Sequence, residues 1–200
     1  MKTQNNKLVD KTVKILKEGG IVILPTDTVY GIFGLSDNKK AINKIYRIKK
    51  RDRNKPFQIF LASKNEIKKY AILNTNKKFI NKYLPGKYTL IFKIKKDKKR
   101  KFPFINGNTI GIRIIKYGLL NKIIKKIKKP LAATSANLSG MPSPKSFNEI
   151  NGEILGKVDF YIKDDSIVSG TPSGVIDVSE GFEKVLRWLK IKNKFNCFPL

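Results

Sequence analysis

The stretch Ile21-Val-Ile-Leu24-Pro25-Thr-Asp-Thr-Val-Tyr-Gly31-Ile-Phe-Gly34 decides how the rest of the chain is read. Four consecutive apolar residues suit a strand buried on both faces, because a half-exposed strand would alternate. Pro25 ends that run and Gly31 opens a second apolar segment, so two strands flank a turn rich in hydroxyls. Upstream, Leu8/Val9, Val13 and Leu16 recur at helical spacing and Gly19-Gly20 supplies a stop, which predicts a helix over 6–18. Downstream, Ala41, Ile42, Ile45 and Ile48 mark a second helix that ends in the basic cluster Lys49 to Arg53. Further strands are expected at 57–62, 88–94, 109–115 and 130–133, with a lysine-rich helix at 119–128. The lysine run at 95–101 reads as a loop. Ser63 with Glu66, and Ser146 with Glu149, have capping-box spacing, so each opens a helix, the second ending at Gly156. Strands near 160–163, 174–178 and 184–188 close the pattern. Strands and helices interleave without a repeat or a long linker. The expected fold class is therefore α/β (α+β): one twisted, mixed, open β-sheet flanked by helices. A single domain is expected over 1–200, with its core at about 8–188 and a basic tail at 189–200.

The 200 residues carry 43 Lys+Arg against 15 Asp+Glu, a net charge of +28, with 40% apolar residues. That apolar share is ordinary for a folded domain, so the charge is added to a core rather than replacing one. Histidine is absent, which excludes Ser-His-Asp and Cys-His catalysis and His-based metal sites. Cys197 is the single cysteine, excluding disulfides and cysteine clusters within the chain. No apolar run approaches the roughly 18 residues of a membrane span, and the first ten residues are too polar for a signal-peptide core. A cytoplasmic protein with no membrane partner is expected. Only six of the basic residues are arginines, at 47, 51, 53, 100, 113 and 187, and 37 are lysines. The 27 isoleucines and 17 asparagines share A/T-rich codons with lysine. Two origins of the charge stay open: codon bias, or a surface for structured RNA such as tRNA. Under the first, each surviving arginine becomes informative, since lysine cannot reproduce a bidentate guanidinium on phosphate or carboxylate.

Four segments hold polar residues where chemistry could occur. Pro25 to Gly31 is either a ligand site or a turn held by its own side chains. Lys49, Arg51 and Arg53 either complement a helix dipole or clamp phosphate. Ala133-Thr-Ser-Ala-Asn-Leu-Ser-Gly140, followed by Met-Pro-Ser-Pro144, leaves a strand as a small-residue, hydroxyl-rich loop that would let backbone N–H groups approach an anion. It is not a P-loop, because the chain contains no G-x-x-x-x-G-K-[ST]. Arg113, inside the apolar Ile110-Gly-Ile-Arg-Ile-Ile115, needs a partner, which is either a protein acid or a ligand carboxylate.

Taken in order, these segments resemble the YrdC-like family. The resemblance rests on Pro25 to Gly31, Lys49-x-Arg51 with Lys55-Pro56, Leu84-Pro-Gly86 with Thr89, Thr109-Ile-Gly-Ile-Arg113, Thr134 to Gly140, Pro172-Ser173 and Leu186-Arg187. The length is similar to the short bacterial, TsaC-type form. The chain departs from the family pattern at Asp52, at Lys87, and after Arg187, where the usual glycine is missing. The resemblance implies an L-threonylcarbamoyladenylate synthase, a nucleotidyltransferase serving tRNA modification, with ATP, L-threonine and bicarbonate as substrates. It implies Mg²⁺ with the ATP and no built-in metal site. Catalytic roles fall on Lys49, Arg51, Ser135 and Asn137. ATP contacts fall on Lys49, Arg51, Thr109, Ser135, Ser143 and Arg187, and threonine contacts on Thr28, Arg113 and Ser173. The product would pass to downstream threonylcarbamoyl-transferase proteins. A non-catalytic RNA-binding or ribosome-maturation protein on the same fold is the alternative.

Overall fold

The computed structural model describes residues 2–73, 77–116 and 118–189. Nine strands form one sheet: β1 (Val22–Leu24), β2 (Gly31–Leu35), β3 (Gln58–Phe60), β4 (Tyr88–Lys93), β5 (Thr109–Arg113), β6 (Leu131–Ser135), β7 (Phe160–Tyr161), β8 (Gly174–Asp177) and β9 (Lys184–Arg187). Their order is β7-β1-β2-β6-β3-β5-β4-β8-β9. The sheet is mixed, since β3 runs parallel to β5 and β4 to β8 while β6 runs antiparallel to both of its neighbours, β2 and β3. The helices are α1 (Lys2–Lys17), α2 (Lys39–Ile48), α3 (Lys77–Tyr83), α4 (Lys96–Lys99), α5 (Leu119–Ile127) and α6 (Gly152–Leu155).

Alternation along the strands sends successive side chains to opposite faces. Ile32, Ile59, Leu90, Ile112, Ala132 and Ile176 point to one face and pack with Ile42 and Ile45 of α2 and Phe79 and Ile80 of α3. Phe33, Phe60, Leu131 and Ala133 point to the other, where α1 supplies Val9, Val13 and Leu16 and α5 supplies Leu120, Ile123 and Ile127. Each fully buried isoleucine here contributes about 1.5–3 kcal/mol.

The helix ends explain how the chain turns back onto the sheet. The Gly19 and Gly20 amides donate to Leu16 O and Ile15 O, and Gly19 has φ 87°, which makes the expected stop a Schellman cap. At the start of α2, Asn38 accepts from the Ala41 amide. Its end repeats the Schellman pattern with a lysine in the glycine place: Lys50 N donates to Arg47 O, Arg51 N to Tyr46 O, and Lys50 has φ 50°.

Four local expectations need correction. Ser63 and Ser146 make no side-chain cap; each precedes a 3-10 helix (Lys64–Lys69 and Phe147–Glu149), and Ser63 Oγ donates to Glu66 Oε1 instead. The helix expected up to Gly156 is therefore split into that second short turn and α6. The 95–101 loop contains α4, and α3 was not expected. Cys197 and the tail beyond 189 lie outside the described residues.

Candidate active site

α1 and α5 cover only part of their face of the sheet. Beyond them, β3, β5, β4, β8 and β9 present Gln58, Thr109, Gly111, Arg113, Thr89, Ile91, Val175 and Arg187 to a cleft of about 300 Å³. That volume is at the lower end for a small-molecule site. Thr28, Arg51, Ser135, Ser143, Pro172 and Ser173 complete the wall from flanking loops and from the end of β6.

The turn after β1 holds itself together and also serves the cleft. Thr26 Oγ1 donates to Val29 O at 2.7 Å and accepts from the Thr28 amide at 3.1 Å. This leaves Thr28 Oγ1 to accept from Arg113 Nη1 at 2.8 Å. Arg113 is 2% exposed and pairs through Nη2 with Asp27; its Nε has no hydrogen-bond partner among the described residues. Its expected partner is thus, in the first instance, a protein acid. Burial pulls the Arg113 guanidinium below its ordinary value, against the field of Asp27. Burial also raises the Asp27 carboxyl, against Arg113 and Lys87. Both charged forms are therefore under strain from desolvation, and a ligand carboxylate could replace Asp27 at Arg113 without creating a new buried charge.

The other end of the cleft is cationic and rich in hydroxyls. The Schellman turn aims Arg51 inward, where Nε and Nη2 donate to the carbonyls of Lys55 and Pro56 at 3.0 and 3.1 Å. Burial lowers the Arg51 and Arg187 guanidinium values. Back towards Arg113, Arg187 Nε donates to Ser173 O at 2.8 Å, and Ser173 Oγ lies 3.2 Å from Thr89 Oγ1. Arg53, from the same basic cluster, instead bonds Asn43 Oδ1 and lies over the Tyr46 ring.

Lys49 and Asn137, expected in the ATP and catalytic sets, do not line the cleft. Lys49 is 1% exposed, and its Nζ donates to Ser135 O at 2.6 Å, to Asn137 O and, at 3.3 Å, to Asn137 Oδ1. It is a strut beneath the loop that follows β6, and its turn-forming neighbour Lys50 explains why residues two apart in sequence diverge. Burial, with the Arg51 charge second, pushes the Lys49 amine down to about 7. A neutral amine retains two N–H donors, enough for the two backbone carbonyls, whereas all three contacts favour the ammonium form. Asn137 ties the loop further by donating to Leu138 O and Met141 O and accepting from Ser135 Oγ.

The cleft thus brings together Thr28, Arg51, Thr109, Arg113, Ser135, Ser143, Ser173 and Arg187. It adds Gln58, which sequence reasoning missed, although an amide within Phe57-Gln-Ile-Phe-Leu61 is the same signal that marked Arg113.

A cleft with arginines at both ends and hydroxyls between them, on the uncovered face of a mixed sheet, defines an anion-binding α/β domain. The model of the Sua5/YciO/YrdC family, described as telomere recombination, matches residues 14–188, and the chain belongs to that family. It is 41% identical over 180 residues to a Methanocaldococcus jannaschii protein named as a candidate threonylcarbamoyl-AMP synthase, covering 88% of this chain and 83% of that one. It superposes on Pyrococcus abyssi Sua5 complexed with L-threonine with a TM-score of 0.82 at 28% identity, covering 90% of this chain and 54% of that chain. The chain therefore spans about half the length of the Pyrococcus protein. Escherichia coli YciO superposes with a TM-score of 0.82 at 25% identity, covering 92% and 89%. No helix among the described residues is long and apolar enough to cross a membrane.

Proposed function

We propose that the chain is an L-threonylcarbamoyladenylate synthase, making threonylcarbamoyl-AMP and pyrophosphate from L-threonine, bicarbonate or carbon dioxide, and ATP. The observation that carries this is Arg113: a buried guanidinium with an unused Nε, opening onto a cleft whose opposite end holds Arg51, Ser135 and Ser143. The first end suits an amino-acid carboxylate, with Thr28 and Ser173 beside it. The second suits a triphosphate, with Thr109 in its wall; Arg187, bonded to Ser173, borders the first end and contacts ATP from there. The name of the Methanocaldococcus relative, and the L-threonine bound to the Pyrococcus protein, support the same activity.

The chemistry needs no nucleophilic side chain. The threonine amine forms a C–N bond to carbon dioxide and loses a proton. A carbamate oxygen then bonds the α-phosphorus as the bond to pyrophosphate breaks. The protein's contribution is to align the two reactants and to neutralise phosphate charge. Ser135 contacts the nucleotide, and Lys49 and Asn137 act through the loop that carries it. ATP enters as its Mg²⁺ complex. Among the described residues no group of three or more acidic, Cys or His side chains is placed to hold a metal. The product goes to threonylcarbamoyl-transferase proteins in the cytoplasm, and the lysine-rich exterior is offered to tRNA. The non-catalytic RNA-binding reading leaves the cleft and its buried arginine without a purpose.

The test is pyrophosphate release on incubation with ATP, threonine and bicarbonate. Strict dependence on all three is expected. Release without threonine, or none at any Mg²⁺ concentration, refutes the assignment.

A further inference from the structure

Strand β3 carries two buried apolar side chains and one partly exposed amide, Gln58. Its register partners are Gly111 on β5 and Ala133 on β6, so no long side chain stands beside it on the cleft floor. A Cβ at Gly111 would be tight, 3.3 Å from Thr89 Cγ2, and in ordinary contact with Gln58 Cβ at 3.5 Å. The backbone thus makes room for Gln58 and Thr89 to meet across β5, and Thr89 Oγ1 donates to Gln58 Oε1. Thr89 in turn contacts Ser173, which Arg187 holds. A polar chain therefore crosses from β9 to β3 and ends at the carboxamide.

That chain sets what Gln58 offers. With Oε1 accepting from Thr89, the amide presents its Nε2 hydrogens, which have no protein acceptor among the described residues. Its place on the floor is intermediate. Two residues along β5 in one direction is Arg113, at the carboxylate end, and two in the other is Thr109. Two residues beyond Ala133 on β6 is Ser135, at the phosphate end. A donor located between the two ends faces the junction of the two reactants.

Building on the synthase assignment, we infer that Gln58 donates through Nε2 to the reacting group, an oxygen of the carbamate as it meets the α-phosphorus. An oxygen acceptor is the class of group it takes, because both Nε2 hydrogens are unpaired while Oε1 already accepts from Thr89. The contact exists once both substrates are present, so it acts on turnover rather than on binding of either one alone.

The experiment compares wild type with Gln58→Leu and the near-isosteric Gln58→Glu. It measures threonine- and bicarbonate-dependent pyrophosphate release, separate calorimetric affinities for ATP and threonine, and thermal unfolding. Gln58→Leu is expected to lower kcat about 10- to 100-fold, the range for one hydrogen bond to a charged oxygen. Each separate affinity should change by less than about twofold. Gln58→Glu should lose more, because a carboxylate would face the carbamate and phosphate oxygens. If Gln58→Leu fails to fold, Gln58→Glu carries the test by the same criterion. Unchanged kcat, or a loss matched by weaker ATP or threonine binding, overturns the inference. Wild type with no substrate-dependent release removes the synthase assignment and this role together, whereas an active wild type beside indifferent variants removes this role alone.

Discussion

Replacing Lys49 by Met distinguishes a strut from a phosphate clamp. Methionine fills similar space but strips the donor from Ser135 O, Asn137 O and Asn137 Oδ1. Asn137 Oδ1 still accepts from Ser135 Oγ, so two carbonyls lose a partner in a site where Lys49 is 1% exposed. At about 1–3 kcal/mol for each unsatisfied buried group the gross loss is about 2–6 kcal/mol. Removing a desolvated amine offsets part of this, leaving about 2–4 kcal/mol. For a domain of this size, 1 kcal/mol moves Tm by about 2–4 °C, so the variant should melt about 5–15 °C lower. Circular dichroism melts beside ATP and threonine titrations provide the assay. The strut predicts a lowered Tm with weakened ATP affinity, because the loop carrying Ser135 loosens, and nearly intact threonine affinity. An unchanged Tm with selective loss of ATP binding would refute it and return the amine to direct phosphate contact.

Three further outcomes follow from the same geometry. Arg113→Lys keeps the charge but loses the planar fork that spans Thr28 and Asp27, so threonine affinity should fall by about 1.5–3 kcal/mol while ATP affinity holds; equal losses in two separate titrations would mark a purely structural ion pair. The Lys49 amine lies near 7 when folded against 10.5 when free, so between these values the unfolded chain binds the extra proton. Wild-type stability should therefore rise relative to Lys49→Met from pH 7 towards 10, read from urea midpoints, and a constant gap would show that the amine stays charged in the fold. Lys122, Lys125, Lys126, Lys128 and Lys129 are all exposed at and just beyond α5, with Lys126 and Lys129 already paired to Asp10 and Asp37. Their joint replacement by Gln should abolish low-salt tRNA binding and spare pyrophosphate release, whereas a wild type that binds no tRNA at about 50 mM salt assigns the charge to codon bias.

Apolar periodicity made nearly every strand and the sheet-covering helices α1, α2 and α5 legible, because burial leaves a long trace. It missed α3, where Phe79 and Ile80 are the only fully buried residues beside three lysines, an asparagine and the half-buried Tyr83. It also misread the Ser63 and Ser146 pairs, since capping-box spacing fits a 3-10 turn as well as an α-helix. The site was legible where burial made a polar group conspicuous. Arg113 declared itself by interrupting isoleucines. Gln58 interrupts a similar run, but a neutral amide is less costly to bury than a charge and raises a weaker signal. Lys49 is the instructive failure. Linear proximity to Arg51 suggests that both cations serve one anion. The intervening Lys50 adopts φ 50°, a left-handed conformation that lysine seldom takes and that nothing in the composition announces. That single backbone sign closes the Schellman turn, sends Arg51 into the cleft and leaves Lys49 under the loop behind it. Residue types in such a motif indicate which groups the chemistry uses, but the backbone between them decides which one touches the ligand and which one holds the wall.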